Sequence, residues 1–290
     1  MSFQKRLTSG EFVVLAEMNT PKGVDISQLM TNARRIKGRV DAAVVPDMDN
    51  GVMRMSALAG GVLVQQQGLE AIIHVYCRDR NRMALQGDIL AAHVLGIQNL
   101  VVVNSEDVAN SDHREAKPVN DLDEVALLEV IRSLQKGKDM SGFELEGTPT
   151  FTTGCTVGAF ADDQQMAAEL ALTRRKVEAG AQFIVTPPVF DVERYGAFLN
   201  AAGELGVPII ATIFLIKSVG IARYMALNEP GAHISEEMIR RIRKAPDREA
   251  ECLKIAGETI ATLKDKVAGV KIETHGWEHR LGAILDYAGL

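Results

Sequence analysis

Eight short apolar runs recur along the chain, at 12–16, 42–45, 71–75, 100–103, 149–157, 183–186, 208–213 and 267–272. Most carry no polar residue in their interior, the pattern of strands buried on both faces. Each breaks into a polar tip, and a helical pattern follows. After the first run, Ile26, Leu29, Met30, Ala33 and Ile36 return at helical spacing behind Asp25, a helix-starting residue. Further helices are expected at 56–67, 81–95, from Asp121 or Asp123 to Leu134, at 161–179, 191–205, 219–227, 235–244, 247–265 and 280–287. Gly68, Gly96, Gly180 and Gly206 stand where helices stop.

Strands joined by helical crossovers form either an eightfold barrel or an open doubly wound sheet. The count of eight, and the lack of a Gly-rich dinucleotide turn after the first strand, favour the barrel. The expected fold is therefore α/β, a single eight-stranded βα (TIM) barrel, in one domain over residues 1–290. In such a barrel all strand C-termini meet on one face. The tips that would converge there are Glu17, Asp47, the segment Asn104, Ser105, Glu106 and Asp107, then Cys155, Pro187 and Glu273. The longest polar stretch, 104–121, opens from the fourth strand, and a long loop in that place is more often functional than accidental.

Composition narrows the class. The 290 residues are 47% hydrophobic and 24% charged, with a formal net charge of −6, so nothing marks a nucleic-acid surface. There is no run of 18 apolar residues to span a membrane and no apolar leader at the N-terminus. Cys77, Cys155 and Cys252 lie too far apart for a disulfide framework or a zinc motif. These features point to a reduced, cytoplasmic enzyme without a structural metal.

Several residues invite chemistry, each against a plainer alternative. Glu17 at a barrel mouth would have a raised pKa and serve as a general acid, or it would simply bind loop amides. His74 would contact a ligand, or be a satisfied core histidine. Arg174, Arg175 and Lys176 would hold a pyrophosphate, or be a solvated helix face; Glu169 shares a face with Lys176. Arg78, Arg80 and Arg82 alternate with Asp79 and Asn81, as mutually paired charge or as a frame for an anion. The 275–279 stretch, with His275 and His279, offers too little alone for a metal.

Taken together, Leu15-Ala-Glu-Met-Asn-Thr-Pro21, Cys77-Arg-Asp-Arg-Asn-Arg82, Leu95-Gly-Ile-Gln-Asn-Leu-Val-Val-Val103, Arg174-Arg-Lys-Val-Glu-Ala-Gly-Ala181 and Ile213-Phe-Leu-Ile-Lys-Ser-Val-Gly-Ile-Ala-Arg-Tyr224 resemble the methylenetetrahydrofolate reductase family along nearly the whole chain. The resemblance implies a βα barrel that binds FAD at the strand C-termini and reduces the methylene bridge of a folate-type substrate. It implies Glu17 as the catalytic acid and His74 as a flavin contact. Asn104, Ser105, Glu106 and Asp107 would border the flavin, and Glu169, Arg175 and Lys176 would hold its ribityl and phosphate groups. Thr186 and Lys217 would join Glu17 in binding substrate. Electrons would come from NAD(P)H bound in the same mouth or from a partner redox protein, and the chain would work as an oligomer or a complex subunit.

Four positions differ from the family pattern. The fourth strand opens into Asn104-Ser-Glu-Asp107 where a Gly-Asp pair is usual. Thr186 precedes Pro187 rather than a glutamine. Gly158-Ala159 replaces an Asn-Pro or His-Pro pair, and Pro46 replaces a threonine. They motivate an alternative, a non-reducing member that binds a pterin or serves as a partner subunit of a C1-pathway complex; a methyltransferase-type barrel is a weaker one.

Overall fold

The computed structural model describes residues 1–103, 108–229 and 231–290. Among these, eight strands pair in parallel and in chain order: β1 (Val13–Glu17), β2 (Ala42–Val45), β3 (Glu70–Tyr76), β4 (Asn99–Val103), β5 (Thr152–Thr156), β6 (Phe183–Pro188), β7 (Ile209–Phe214) and β8 (Gly269–Glu273). β8 closes on β1, with Leu15 in register with Lys271, and the expected barrel is complete.

Strand side chains alternate between two sides, as the two-residue period requires. Ala43, Val45, Ile73, Val75, Val102 and Ile213 face the surrounding helices. Val13, Leu15, Val44, Ile72, Val101, Phe183, Val185 and Ile210 fill the interior. The outer ring comprises α2 (Ser27–Ile36), α3 (Ala57–Gln66), α4 (Arg82–Val94), α5 (Glu124–Gln135), α6 (Asp163–Ala179), α7 (Val192–Gly203), α8 (Val219–Asn228), α9 (Glu236–Lys244), α10 (Arg248–Leu263) and α11 (Leu281–Ala288). Most start as the sequence suggested: the side chains of Asn81, Asp123, Asp162, Asp191 and Asp247 accept from first-turn amides. Asp25 sits one position further out, accepting from the Ser27 amide at 2.9 Å.

One further helix, α1 (Phe3–Ser9), was not foreseen in the polar N-terminal stretch. It plugs the floor of the barrel. Phe3 and Leu7 are buried with the interior cluster, and the Phe3 ring meets Phe183 edge-on at 5.3 Å. The Phe3 amide donates to Glu70 at 2.8 Å, and Asn99 donates to the other Glu70 oxygen at 2.8 Å. The floor is thus closed by the Phe3 and Leu7 side chains, with Glu70 pinning the helix to the starts of β3 and β4.

Cys155 is a correction. It stands on β5 but packs outward against the helices, and burial pushes its thiol up to about 12. A neutral thiol in the barrel wall is neither a nucleophile nor a polar tip at the mouth.

Candidate functional site at the barrel mouth

β1 and β8 bring three charges together inside the barrel. Lys271 donates to Glu17 at 3.0 Å and lies 2.6 Å from Glu273. The three side chains are only 7%, 4% and 14% exposed, respectively. Lys271 and Glu273 share a face because they are two residues apart on one strand. His275, just past the strand, places its Nε2 3.6 Å from the second Glu273 oxygen.

One ammonium cannot neutralise two buried carboxylates. For Glu17, burial is the largest influence and raises its pKa; Glu273 and Asp49 add to that, Lys271 opposes it, and the result is about 7. Burial acts the same way on Glu273, but Lys271 and His275 outweigh it and hold that carboxyl at about 2. Burial disfavours the charge of Lys271, yet its two carboxylate neighbours keep it firmly protonated. Near neutrality the cluster therefore holds one ionised carboxylate, one ammonium, and one carboxyl poised to give or take a proton. That is the property of a general acid.

Asp49 approaches from the loop after β2. Tyr76, at the end of β3, donates to it at 3.4 Å, and burial raises its pKa. The residue before it, Met48, has φ +53°, an uncommon value for a side-chain-bearing residue, and its carbonyl accepts from Arg78 at 3.2 Å. Arg78 also pairs with Asp79, Arg80 with Asp47 at 2.6 Å, and Arg82 with Asp121 at 2.9 Å. The Arg78–Arg82 block is thus paired charge that shapes the loops of the mouth.

His74 lies inside the barrel between Ile72 and Tyr76. It is buried, its ring 6.0 Å from that of Tyr76, and neither ring nitrogen has a hydrogen-bond partner among the described residues. Burial, with Lys271 nearby, lowers its pKa to about 3, so the imidazole is neutral. An orphaned neutral imidazole is able both to donate to and to accept from a ligand.

The remaining expected residues are dispersed. Lys176 is fully buried, donating to the Thr156 carbonyl at 2.9 Å and ion-paired with Glu124. Glu169 accepts from the Gly158 amide at 3.0 Å; a Cβ on that glycine would lie 2.7 Å from the Glu169 carboxylate. Arg175 is exposed on α6. Thr186 is buried, with its hydroxyl bonded to Pro187 O and to the Thr212 amide. Lys217 is half-buried at the rim, bonded to the His275 carbonyl and 5.3 Å over the Trp277 ring. Asn104, Ser105, Glu106 and Asp107 lie outside the described residues. No cluster of three metal-ligating side chains occurs among the described residues, nor any helix long and apolar enough to cross a membrane.

Of the residues expected at the mouth, the fold sets Glu17 beside Lys271, Glu273 and Asp49 and leaves His74 near Tyr76; Lys271, Asp49, Tyr76 and His275 are not expected from the sequence as partners of Glu17. A lysine inside an otherwise apolar strand, two residues before Glu273, was the available signal for Lys271.

The residues fit one end of a flavin. The unpartnered imidazole of His74 suits the polar edge of an isoalloxazine ring. At the other end Lys176 offers no open cation to a pyrophosphate, because Glu124 already neutralises it inside the wall.

The family model for methylenetetrahydrofolate reductase matches residues 2–274. The chain belongs to that family. A curated relative, methylenetetrahydrofolate reductase 2 of Schizosaccharomyces pombe (strain 972 / ATCC 24843), is 26% identical over 244 residues, covering 79% of this chain and 37% of the relative. The chain thus spans little more than a third of the length of that reductase. Among solved structures it is similar to an uncharacterised protein from Clostridium thermocellum that binds two copies of 5-methyl-5,6,7,8-tetrahydrofolic acid. There the TM-score is 0.67 at 16% identity, over 99% of this chain and 98% of that one. It is also similar to the EDTA monooxygenase of Chelativorans sp. BNC1, with a TM-score of 0.57 at 10% identity, over 96% and 93% of the two chains. At these identities the two likenesses concern the fold. Within the methylenetetrahydrofolate reductase family, this chain's acidic centre is built from β1 and β8.

Proposed function

We propose that this chain is a cytoplasmic, flavin-dependent reductase that converts the methylene bridge of 5,10-methylenetetrahydrofolate to a methyl group. The observation that carries this reading is Glu17, a buried carboxyl at the mouth whose proton is available near neutral pH. Family membership and a neighbour of the same fold that binds a methylated folate support the substrate class.

FAD, when bound, supplies the hydride. The chain's own residues do the rest. Glu17 delivers its proton to a bridging nitrogen of the folate, so that the five-membered ring opens to an iminium that accepts hydride. Lys271 and Glu273 hold Glu17 in place, and the Lys271 ammonium faces the carboxylate that forms as the proton leaves. His74 fixes the flavin ring from the barrel interior. At the other end Glu169 braces the Gly158 loop, and Arg175 is the cation of α6 open to a phosphate. Thr186 supports the β6 end beneath the pterin. Lys217, at the rim, meets the anionic tail of the folate. The electron donor is NAD(P)H in the same mouth or a partner redox protein, and the chain acts as an oligomer or complex subunit.

One observation favours a second reading, a pterin-binding or partner subunit that does no reduction: the closed Lys176–Glu124 pair, which withholds a cation from the flavin's pyrophosphate. The visible spectrum of the purified protein titrated with FAD separates the two. Saturable binding that perturbs the flavin spectrum, with reoxidation of the reduced flavin by methylenetetrahydrofolate, supports the reductase. No binding supports the second reading. In the reductase, Glu17→Gln is expected to leave flavin binding intact and to slow folate reduction by roughly 10²–10⁴-fold, the range for loss of a general acid. Undiminished turnover in that variant would remove Glu17 from the mechanism.

A further inference from the structure

Every turnover of the reaction proposed above consumes the proton of Glu17, which must be replaced. The Glu17 side chain is 4% exposed. Its contacts run up β8 toward the rim and the surface. Glu17 meets Lys271 at 3.0 Å, Lys271 meets Glu273 at 2.6 Å, and Glu273 faces His275 Nε2 at 3.6 Å. His275 is the first group along this line with substantial exposure, at 31% of its side chain. It lines a cavity of about 310 Å³ together with Asn19, Gln28 and the charged residues Asp25, Arg54 and Glu278.

His275 is also held firmly in that position. Lys217 donates to its carbonyl, its ring lies 4.8 Å from the ring of Phe214, and its backbone is in the left-handed region at φ +45°. Strain of that kind in a residue other than glycine persists only when the surroundings impose it.

We propose that His275 is the relay through which solvent reprotonates Glu17, with Glu273 and Lys271 as the links between them. The steps balance. A protonated His275 passes a proton from Nε2 to the Glu273 carboxylate and becomes neutral. Glu273 then gives a proton to Lys271 as Lys271 gives one of its own to Glu17. Glu273 returns to carboxylate, Lys271 remains an ammonium, and His275 recovers its proton from water in the cavity. The 3.6 Å approach of His275 to Glu273 is an ion-pair contact that a sub-ångström shift turns into a hydrogen bond, a tightening common in catalytic sites. The charged groups around the route favour it. Glu273, Glu17 and Asp49 together counter the effect of burial on His275 and raise its pKa. Around Glu17 stand Lys271, Glu273 and Asp49, with the neutral His74 nearby.

The relay rests on the proposed role of Glu17 as an acid, but its test does not need turnover. In the ligand-free protein, the carboxylic-acid C=O infrared band that disappears in Glu17→Gln reports the protonation of Glu17. Its rise after a downward pH jump gives the rate of proton uptake. His275→Asn is the variant of choice, because asparagine tolerates the left-handed backbone while removing the imidazole. The rise is expected to slow by at least about tenfold, given what a positioned acid–base group contributes, and to recover when imidazole is added. Glu273→Gln is expected to slow it without such recovery. An unchanged rate in His275→Asn would overturn the relay, as would the lack of any Glu17-dependent band. Failure of the proposed reaction shows instead as a wild-type protein that takes up the proton normally but does not bind FAD or reduce the folate.

Discussion

Glu17 and Lys271 lie 254 positions apart in the chain and 3.0 Å apart in space. The contact exists because the last strand of the barrel closes on the first, and it sets how the protein responds to pH. Glu17 titrates at about 7 in the folded chain against an ordinary 4.5. A carboxyl whose pKa is raised by folding gives stability that is complete below 4.5 and is lost as pH rises through 7. Glu273 has the opposite sign, since its folded value of about 2 gives stability above 4.5 that is lost as pH falls toward 2. The cluster therefore contributes most near pH 4.5. Urea unfolding of wild type and Glu17→Gln across this range is expected to show the wild type losing about 3 kcal/mol relative to the variant between pH 4.5 and 8.

Lys271→Met is expected to destabilise the fold by roughly 3–5 kcal/mol at neutral pH, because it leaves buried carboxylates without their cation. The loss shrinks in acid, where those carboxyls are protonated. Denaturant unfolding at two pH values checks both points, and a pH-independent loss would mean that the lysine matters for packing alone.

His74→Leu separates stability from function. Both imidazole nitrogens are buried without a partner among the described residues, so an apolar residue of similar reach is expected to stabilise the ligand-free fold by about 1–3 kcal/mol, as relief of an unmet polar group does. If His74 fixes the flavin ring, the same change weakens FAD binding. A thermal melt and an FAD titration on one sample read the two effects.

Gly269 opens β8 where the strand crosses Val13. A Cβ there would lie 2.4 Å from the Val13 carbonyl oxygen, which is backbone and has little room to give. Gly269→Ala is expected to cost about 1–3 kcal/mol, the usual range for overpacking, and to disturb the Glu17–Lys271 contact one layer above. Urea unfolding measures the first effect, and the Glu17 infrared titration measures the second.

The barrel was legible because its strands are buried on both sides and therefore read as uninterrupted apolar runs between capped helices. Glu17 and His74 were legible for the same reason, as polar residues where such runs should stay apolar. Lys271 followed the same rule but lay among residues that otherwise completed the eighth strand, and its meaning depends on β1, which no local pattern connects to it. The plug escaped notice because only two of its seven residues, Phe3 and Leu7, are buried, and that is too sparse a stripe to mark a helix. The Lys176 position was the least readable. A cation at the end of a helix looks alike whether it faces a phosphate or a glutamate, and here Glu124, 52 residues earlier, takes it.

The closure of β8 on β1 also bears on how the protein is made. As the chain leaves the ribosome, β1 and its glutamate emerge well before the lysine they meet, which follows more than two hundred residues later. A nascent chain can dock helices against growing strands, as domains do during synthesis, but it holds no assembled acid until β8 arrives. A product truncated before residue 269 would lack both Lys271 and the strand that closes the barrel on β1.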